Sequence, residues 1–498
     1  MDPTFLKNTA PDVERLKRGM LVGLLTLFSI VASFVAVRSG NMVWMGAVIG
    51  LPVLVMLLTH PVHSLYLALI MYLSSLNVLR IGSFSDASIF FSFAAFSCFF
   101  MLIFRRERYR PERGDKLFGG FLVVIFILMV VRGTGLKFMG ASTWGGSPYI
   151  LIMMAIFFYL FSRRLRIDGK GIKRTLWLVV LMGVVNTLMQ RLGFLAETDQ
   201  MSEVLQARLS WTKPAATTLL LLALVVKWKK SWITALFWVA AMGVTGLAGF
   251  RSRLVVGLML TAAFFYFRAT NRKAYVVKAA LAGCLVWMMV VASSPMLPLG
   301  LQRAVSFIPG VNVSLRQAAN AESSTEWRYE IWRFCMEEAP NYWLVGRGIT
   351  FDVRDAAVEL GIADVQGQTQ WFMFFTHSYH SGPLTLLIDY GLPGLLFMLA
   401  IHILFIGKCL RMGRAFAGGD SLVSRFALFM LASILSGIIS YWLLFGKTES
   451  LAILIFQMGV LYITYHSTLE LKKTEPSIME DETVVKAFSA PSLHGKSL

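Results

Sequence analysis

Arginine recurs in three separate stretches of this chain, each bordering apolar segments. Arg208 sits in ARLSWTKP (207–214), and Arg251 and Arg253 in GFRSR (249–253). Arg303, Arg316, Arg328, Arg333, Arg347 and Arg354 share one long polar stretch that closes on His377 and His380 in HSYHSGP (377–383). A guanidinium is a planar fork of donors that fits phosphate in bidentate geometry. An imidazole, with an ordinary pKa of about 6.5, suits proton transfer near neutral pH. Together these residue types point to chemistry on a phosphate-bearing substrate. Plainer readings stand beside this one. A single interfacial Arg can snorkel to lipid headgroups, and a lone interfacial His can be structural. His377 and His380, at i and i+3, could ligate a metal, but the nearby carboxylates lack ligand spacing, so none is expected. The Trp and Tyr residues of the long stretch suit interfacial anchoring as well as sugar stacking. The four cysteines, Cys98, Cys284, Cys335 and Cys409, form no CxxC pair, which argues against a zinc site or a disulfide framework.

What must position these residues is a membrane. Of 498 residues, 56% are hydrophobic and 15% charged, with a mean hydropathy of +0.65. A soluble chain carries about 25% charged residues. A spanning helix needs about 20 mostly apolar residues, and about fourteen segments meet that criterion. They lie near 19–37, 41–58, 62–79, 87–104, 117–131, 147–162, 175–193, 212–226, 231–249, 254–267, 275–292, 383–407, 422–445 and 450–466. The expected fold is therefore all-α, a polytopic transmembrane bundle.

Charge placement sets the orientation. Alternate connections are strongly basic: RRERYRPERGDK (105–116), RRLRIDGKGIKR (163–174), KWKK (227–230), RATNRK (268–273) and GKCLRMGR (407–414). Those of opposite parity, RSGN (38–41), RIGSFSDAS (80–88) and GKTES (446–450), are nearly neutral. By the positive-inside rule the basic set faces the cytoplasm, as do both ends of the chain. The net charge of +19 thus reports orientation and needs no nucleic-acid partner. The expected divisions are 1–18, a cytoplasmic segment before a retained first span; 19–292, eleven spans; 293–382, an extracytoplasmic loop; 383–466, three spans; and 467–498, a cytoplasmic tail. That tail mixes charges without periodicity from Lys472 onward and reads as disordered.

A loop of the length of 293–382 calls for structure of its own. Ser323 to Glu338 predicts an amphipathic helix, with capping-box spacing at Ser323 and Glu326 and with Trp327, Ile331 and Phe334 on one face. A second short helix is predicted near Asp352 to Leu360, ending at Gly361.

The sequence resembles the O-antigen ligase and O-antigen polymerase superfamily of bacterial membrane glycosyltransferases. In HSGPLTLLIDYGLPG (380–394), His380, Leu384, Asp389, Gly391 and Gly394 are similar to that family's pattern; Ser381 stands where Asn is frequent. In RYEIWRFCMEEAPNYWLVGRGITF (328–351), Arg328, Trp332, Pro340, Gly346, Gly348 and Phe351 fit. Ser252 with Arg253, and Arg208 with Pro214, resemble further family pairs. The resemblance spans roughly 208–394. The first six spans contribute hydropathy alone, and many members have about twelve spans, fewer than counted above.

The resemblance implies a GT-C class fold and metal-independent transfer, with no cofactor. The donor would be a glycan on undecaprenyl pyrophosphate in the inner (plasma) membrane. The acceptor would be a hydroxyl on another glycan, for a polymerase, or on lipid A–core, for a ligase. The product would be cell-surface lipopolysaccharide or exopolysaccharide. Arg208 and Arg253 would hold the pyrophosphate, and Arg328 would contact phosphate or brace the loop. His380 would accept the acceptor's proton, with His377 its substitute and Arg251 a further phosphate candidate. Asp389, about two and a half helical turns below His380, reads as a packing residue rather than a relay. A transporter or flippase of lipid-linked glycans is the alternative from another class. It fits less well because no internal repeat is evident and Asn186, Gln190, His402 and Gln457 are only isolated polar groups within the spans.

Overall fold

The computed structural model describes residues 60–76, 86–104, 112–133, 143–144, 146–191, 212–247, 251–352, 365–416 and 418–488. Several expectations lie outside them: the spans at 19–37 and 41–58, Arg208, Arg354, and most of the short helix expected at 352–360. The described chain is helical apart from one two-residue antiparallel pair, β1 (Thr143–Trp144) with β2 (Phe351–Asp352).

The helices follow the apolar runs closely. They are α1 (Pro61–Ser74), α2 (Asp86–Phe104), α3 (Arg113–Val131), α4 (Ser147–Phe161), α5 (Gly169–Arg191), α6 (Thr212–Leu224), α7 (Ser231–Leu247), α8 (Arg251–Arg268) and α9 (Arg272–Ser293). The long connection contributes α10 (Leu299–Val305), α11 (Leu315–Glu338) and α12 (Val365–Phe375). The last three are α13 (Gly382–Ala415), α14 (Leu422–Leu443) and α15 (Thr448–Phe488). Among the described residues six helices are long and apolar enough to cross a membrane: α3, α5, α9, α13, α14 and the first half of α15. Shorter apolar helices, α1, α2, α6 and α7 among them, pack alongside. Burial separates centre from rim: 72% of the apolar window of α14 and 83% of that of α15 are buried, against none of that of α9. With no water in hydrocarbon to satisfy backbone groups, helices are the form such a bundle takes.

The two ends of the bundle differ in chemistry. At one end the basic connections meet each other's acids. Arg163 pairs with Asp115 at 2.7 Å and Glu112 at 3.3 Å, and Lys408 with Glu112 at 2.7 Å. Arg268 and Lys227 share Asp420 at 3.0 and 2.5 Å. At the other end Arg132 Nε donates to Gly346 O at 3.1 Å, and Arg251 Nη2 donates to Ala321 O at 2.7 Å. Basic connections thus meet in two ion-pair groups, one joining Glu112, Asp115, Arg163 and Lys408 and the other joining Lys227, Arg268 and Asp420.

Two expectations are corrected. The loop helix does not start at Ser323. α11 begins at Leu315 after Ser314, so Ser323 and Glu326 lie inside it and form no capping box. The first turns carry Ala and polar residues without an apolar stripe, so helix-forming residues extend the segment where periodicity gave no signal. The tail is also helical further than expected, since α15 continues through Phe488. An apolar span has already supplied the costly nucleus, and extending it adds one hydrogen bond per residue fixed.

Candidate functional site

α13 is broken at Gly391, whose φ of 70° and ψ of −178° are non-helical, with Pro393 just beyond. That backbone region belongs essentially to glycine. The break frees carbonyls that a helix would have used, and residues 342–348 take them up. Arg347 N donates to Ile388 O at 2.6 Å and Gly348 N to Asp389 O at 3.0 Å, while Leu392 N donates to Trp343 O at 2.6 Å. Gly346 (φ +83°) and Gly391 lie back to back. A Cβ on Gly346 would come within 2.7 Å of Asp389 O, and one on Gly391 within 2.7 Å of Leu344 O. Two glycines singled out by motif thus form one close backbone crossing.

The turn from Thr376 to Ser381 links α12 to α13 and carries both histidines in left-handed conformation, His377 at φ 54° and His380 at φ 56°. His is among the side chains that tolerate this region best. Asp389, fully buried, holds the turn from below. Its Oδ1 accepts from the Tyr379 hydroxyl at 2.8 Å and lies 2.9 Å from His377 Nδ1, and its Oδ2 accepts from Thr448 Oγ1 at 3.3 Å. From above, Trp332 Nε1 in α11 donates to Tyr379 O at 2.9 Å. Arg347, also buried, donates to Phe374 O at 2.6 Å and stacks 4.4 Å from that ring. A fully buried carboxylate with three polar partners leaves them all orphaned when removed. Asp389→Ala is expected to lower stability by about 3–5 kcal/mol, read as an earlier thermal transition of the detergent-purified protein. A transition unmoved by the substitution would refute this bracing role.

His380 faces the other way. Its ring packs between Trp327 of α11, with centroids 5.2 Å apart, and Phe445, at 4.6 Å. Its Nδ1 is buried with no hydrogen-bond partner. Burial, then the like charges of Lys447 and Arg328, push its pKa down to about 4. Burial also lowers that of Arg328. The charges of Arg328 and Arg303 bear in turn on Arg251, whose guanidinium bonds Ala321 O and Thr325 Oγ1 (3.0 Å), one turn before Arg328. A neutral imidazole thus feels the charges of Arg328 on α11 and Lys447 in the α14–α15 connection.

Arg253, two residues past Arg251, falls about 200° round the helix from it and lies near Lys213 at the start of α6. Of the expected set, then, Arg328 bears on His380, and Arg251 is coupled to Arg328 rather than to His380. Arg253 opens the same helix beside Lys213, and Arg208 lies outside the described residues. His377 is buried in the Asp389 cluster, its Nε2 without a hydrogen-bond partner.

Lys447, Lys213, Tyr379 and Thr448 were not anticipated. Lys447 carries a signal in retrospect, because a lysine in a short connection of the neutral parity runs against the orientation rule.

Residues 231–399 match the O-antigen ligase family model. Over that stretch the chain is O-antigen ligase-related. The matched segment runs from α7 into α13, and so takes in Arg251, Arg253, Arg328, His377, His380, Asp389 and the Gly346–Gly391 crossing. Lys213 and Lys447 lie outside it. No curated protein matches the chain. Similarity to that family implies a glycosyltransferase-like enzyme, with a lipid-linked glycan as donor and a glycan as acceptor in general terms.

Proposed function

We propose that this O-antigen ligase-related chain transfers a glycan from an undecaprenyl-pyrophosphate carrier to an acceptor hydroxyl on another glycan or on lipid A–core, at the outer face of the inner membrane. The observation that carries this is His380 set beside Arg328 and Lys447, where the loop helix meets two membrane helices. By the positive-inside rule the end bearing Arg163, Lys227, Arg268 and Lys408 is cytoplasmic, which directs His380 outward and both ends of the chain inward. About fourteen spans of the GT-C class fit that arrangement. Nucleotide sugars are absent outside the cytoplasm, so a lipid diphosphate is the activated donor there.

The step follows from the groups present. The acceptor oxygen attacks the anomeric carbon and its proton passes to neutral His380. The bond from that carbon to the diphosphate oxygen breaks, and the diphosphate leaves on its lipid. Arg253 and Arg328, with Arg208, meet the charge that grows on it. Arg251, occupied by Ala321 and Thr325, serves as a brace, and His377 holds the turn through Asp389.

A discontinuous helix such as α13 also occurs in transporters, where the freed backbone groups bind the cargo. Here Arg347 and Gly348 occupy the carbonyls of Ile388 and Asp389, which favours transfer over transport.

Arg253→Lys and Arg328→Lys test the phosphate role, because a point charge lacks the fork. In proteoliposomes supplied with lipid-linked donor each is expected to lower the transfer rate by about 10²–10³-fold. Unchanged rate and donor affinity in both would refute the assignment.

A further inference from the structure

A second cationic site lies at the far end of α8, independent of the transfer chemistry. α8 begins at Arg251 and ends at Arg268, about 25 Å away at about 1.5 Å per residue. At that end a cavity of about 540 Å³ opens between α6, α7, α8 and α14. Lys227, Lys229, Arg268 and Arg425 line it, against the single carboxylate of Asp420, which pairs with Lys227 and Arg268. Arg425 is buried and rigidly held, its Nε and Nη2 donating to Leu224 O at 3.2 and 2.8 Å. Lys229 is exposed and has no acidic partner among the described residues.

The rest of the wall is of a different character. Trp228 and Trp238 line it, with Phe265 and Leu224. Both indole N–H groups are already used, by Leu222 O at 2.8 Å and Thr261 Oγ1 at 3.0 Å, so the rings present apolar faces to the cavity. A soluble anion would use the cations and leave the aromatic wall without a partner. An amphiphile uses both, and basic pockets between spanning helices are where anionic lipid headgroups bind.

We infer that this cavity holds the phosphodiester headgroup of an anionic membrane phospholipid, with its acyl chains lying against α7 and α8. Lys229 and Arg268 contact the phosphate, and Trp228 and Trp238 flank the glycerol and upper chains.

The test uses the full-length protein, delipidated in detergent and returned to phosphatidylglycerol or phosphatidylcholine. Bound lipid is counted by native mass spectrometry. Phosphatidylglycerol should be retained at least tenfold over phosphatidylcholine. Lys229→Gln should weaken that retention by roughly 5-fold, and Lys229→Gln with Arg268→Gln should bring it near the level of phosphatidylcholine. His380→Ala, at the other end, should retain lipid as the parent does. Lys229 is exposed, so its substitution tests the site without disturbing the Asp420 pair. Equal retention of the two lipids, or retention indifferent to Lys229→Gln, would overturn the assignment. Displacement of phosphatidylglycerol by millimolar inorganic phosphate would overturn it too, and give the cavity to a soluble anion.

Discussion

His380→Ala is expected to lower transfer from a lipid-linked donor by about 10²–10⁴-fold, the range over which a positioned base contributes. The fold should persist, because the ring packs on Trp327 and Phe445 while the hydrogen bonds of the turn belong to His377, Tyr379 and Asp389. The pH dependence separates a base from a packing ring. With its pKa pushed down to about 4, His380 stays neutral, and able to accept a proton, well below the 6.5 of an ordinary imidazole. The acid limb of kcat/KM, which reports the free enzyme, is therefore expected near pH 4. Arg328→Gln or Lys447→Gln removes a like charge, eases protonation and moves the limb upward. Burial, the larger cause, remains, so the limb stops short of 6.5. A His380→Ala protein with full activity, or a limb that ignores both substitutions, would remove His380 from the chemistry.

Gly391→Ala should prevent normal folding. The φ and ψ of Gly391 lie in a region costing other residues about 1–3 kcal/mol. The new Cβ would also meet Leu344 O at 2.7 Å, Gly346 N at 2.8 Å and Val345 C at 2.9 Å. All three are backbone atoms of the crossing segment, which cannot rotate aside as a side chain does, and such overpacking costs about 1–3 kcal/mol more. The combined loss, about 2–6 kcal/mol, is large against typical protein stabilities of 5–15 kcal/mol. Yield of monodisperse protein and its thermal transition measure this directly. Gly407→Ala, in the same helix with nothing within 4 Å of the added carbon, is the matched control and should be tolerated. Equal behaviour of the two would refute the crossing as a constraint.

The helices were legible because two signals coincide: apolar runs of spanning length, and charge that alternates between their ends. α6, α8, α9 and α14 accordingly lie within three residues of their expected bounds. α11 was legible only from Ser323 onward, just ahead of the apolar face that begins at Trp327, and its start at Leu315 rests on propensity alone. The break in α13 was half legible. Gly391 stood out by resemblance, but periodicity passes through it, and only the segment at 342–348, more than forty residues earlier, explains it. The same distance limit hid the partners of Asp389. Tyr379 and His377 lie 10 and 12 residues away, within the stretch already suspected, but Thr448 lies 59 residues on. Two like-looking histidines could not be told apart by spacing; burial and direction separate them, one toward a carboxylate and one toward cations.

The crossing at Gly346 and Gly391 also limits how this end of the molecule can move. Lifting residues 342–348 away would strand the carbonyls of Ile388 and Asp389 in a setting poor in water. That segment and the broken helix must open as one cooperative unit or stay shut together. The stretch behind the two histidines is therefore an anvil and not a lid. Any admission of a bulky glycan has to proceed by yielding elsewhere around the His380 ring, against a backing that does not give.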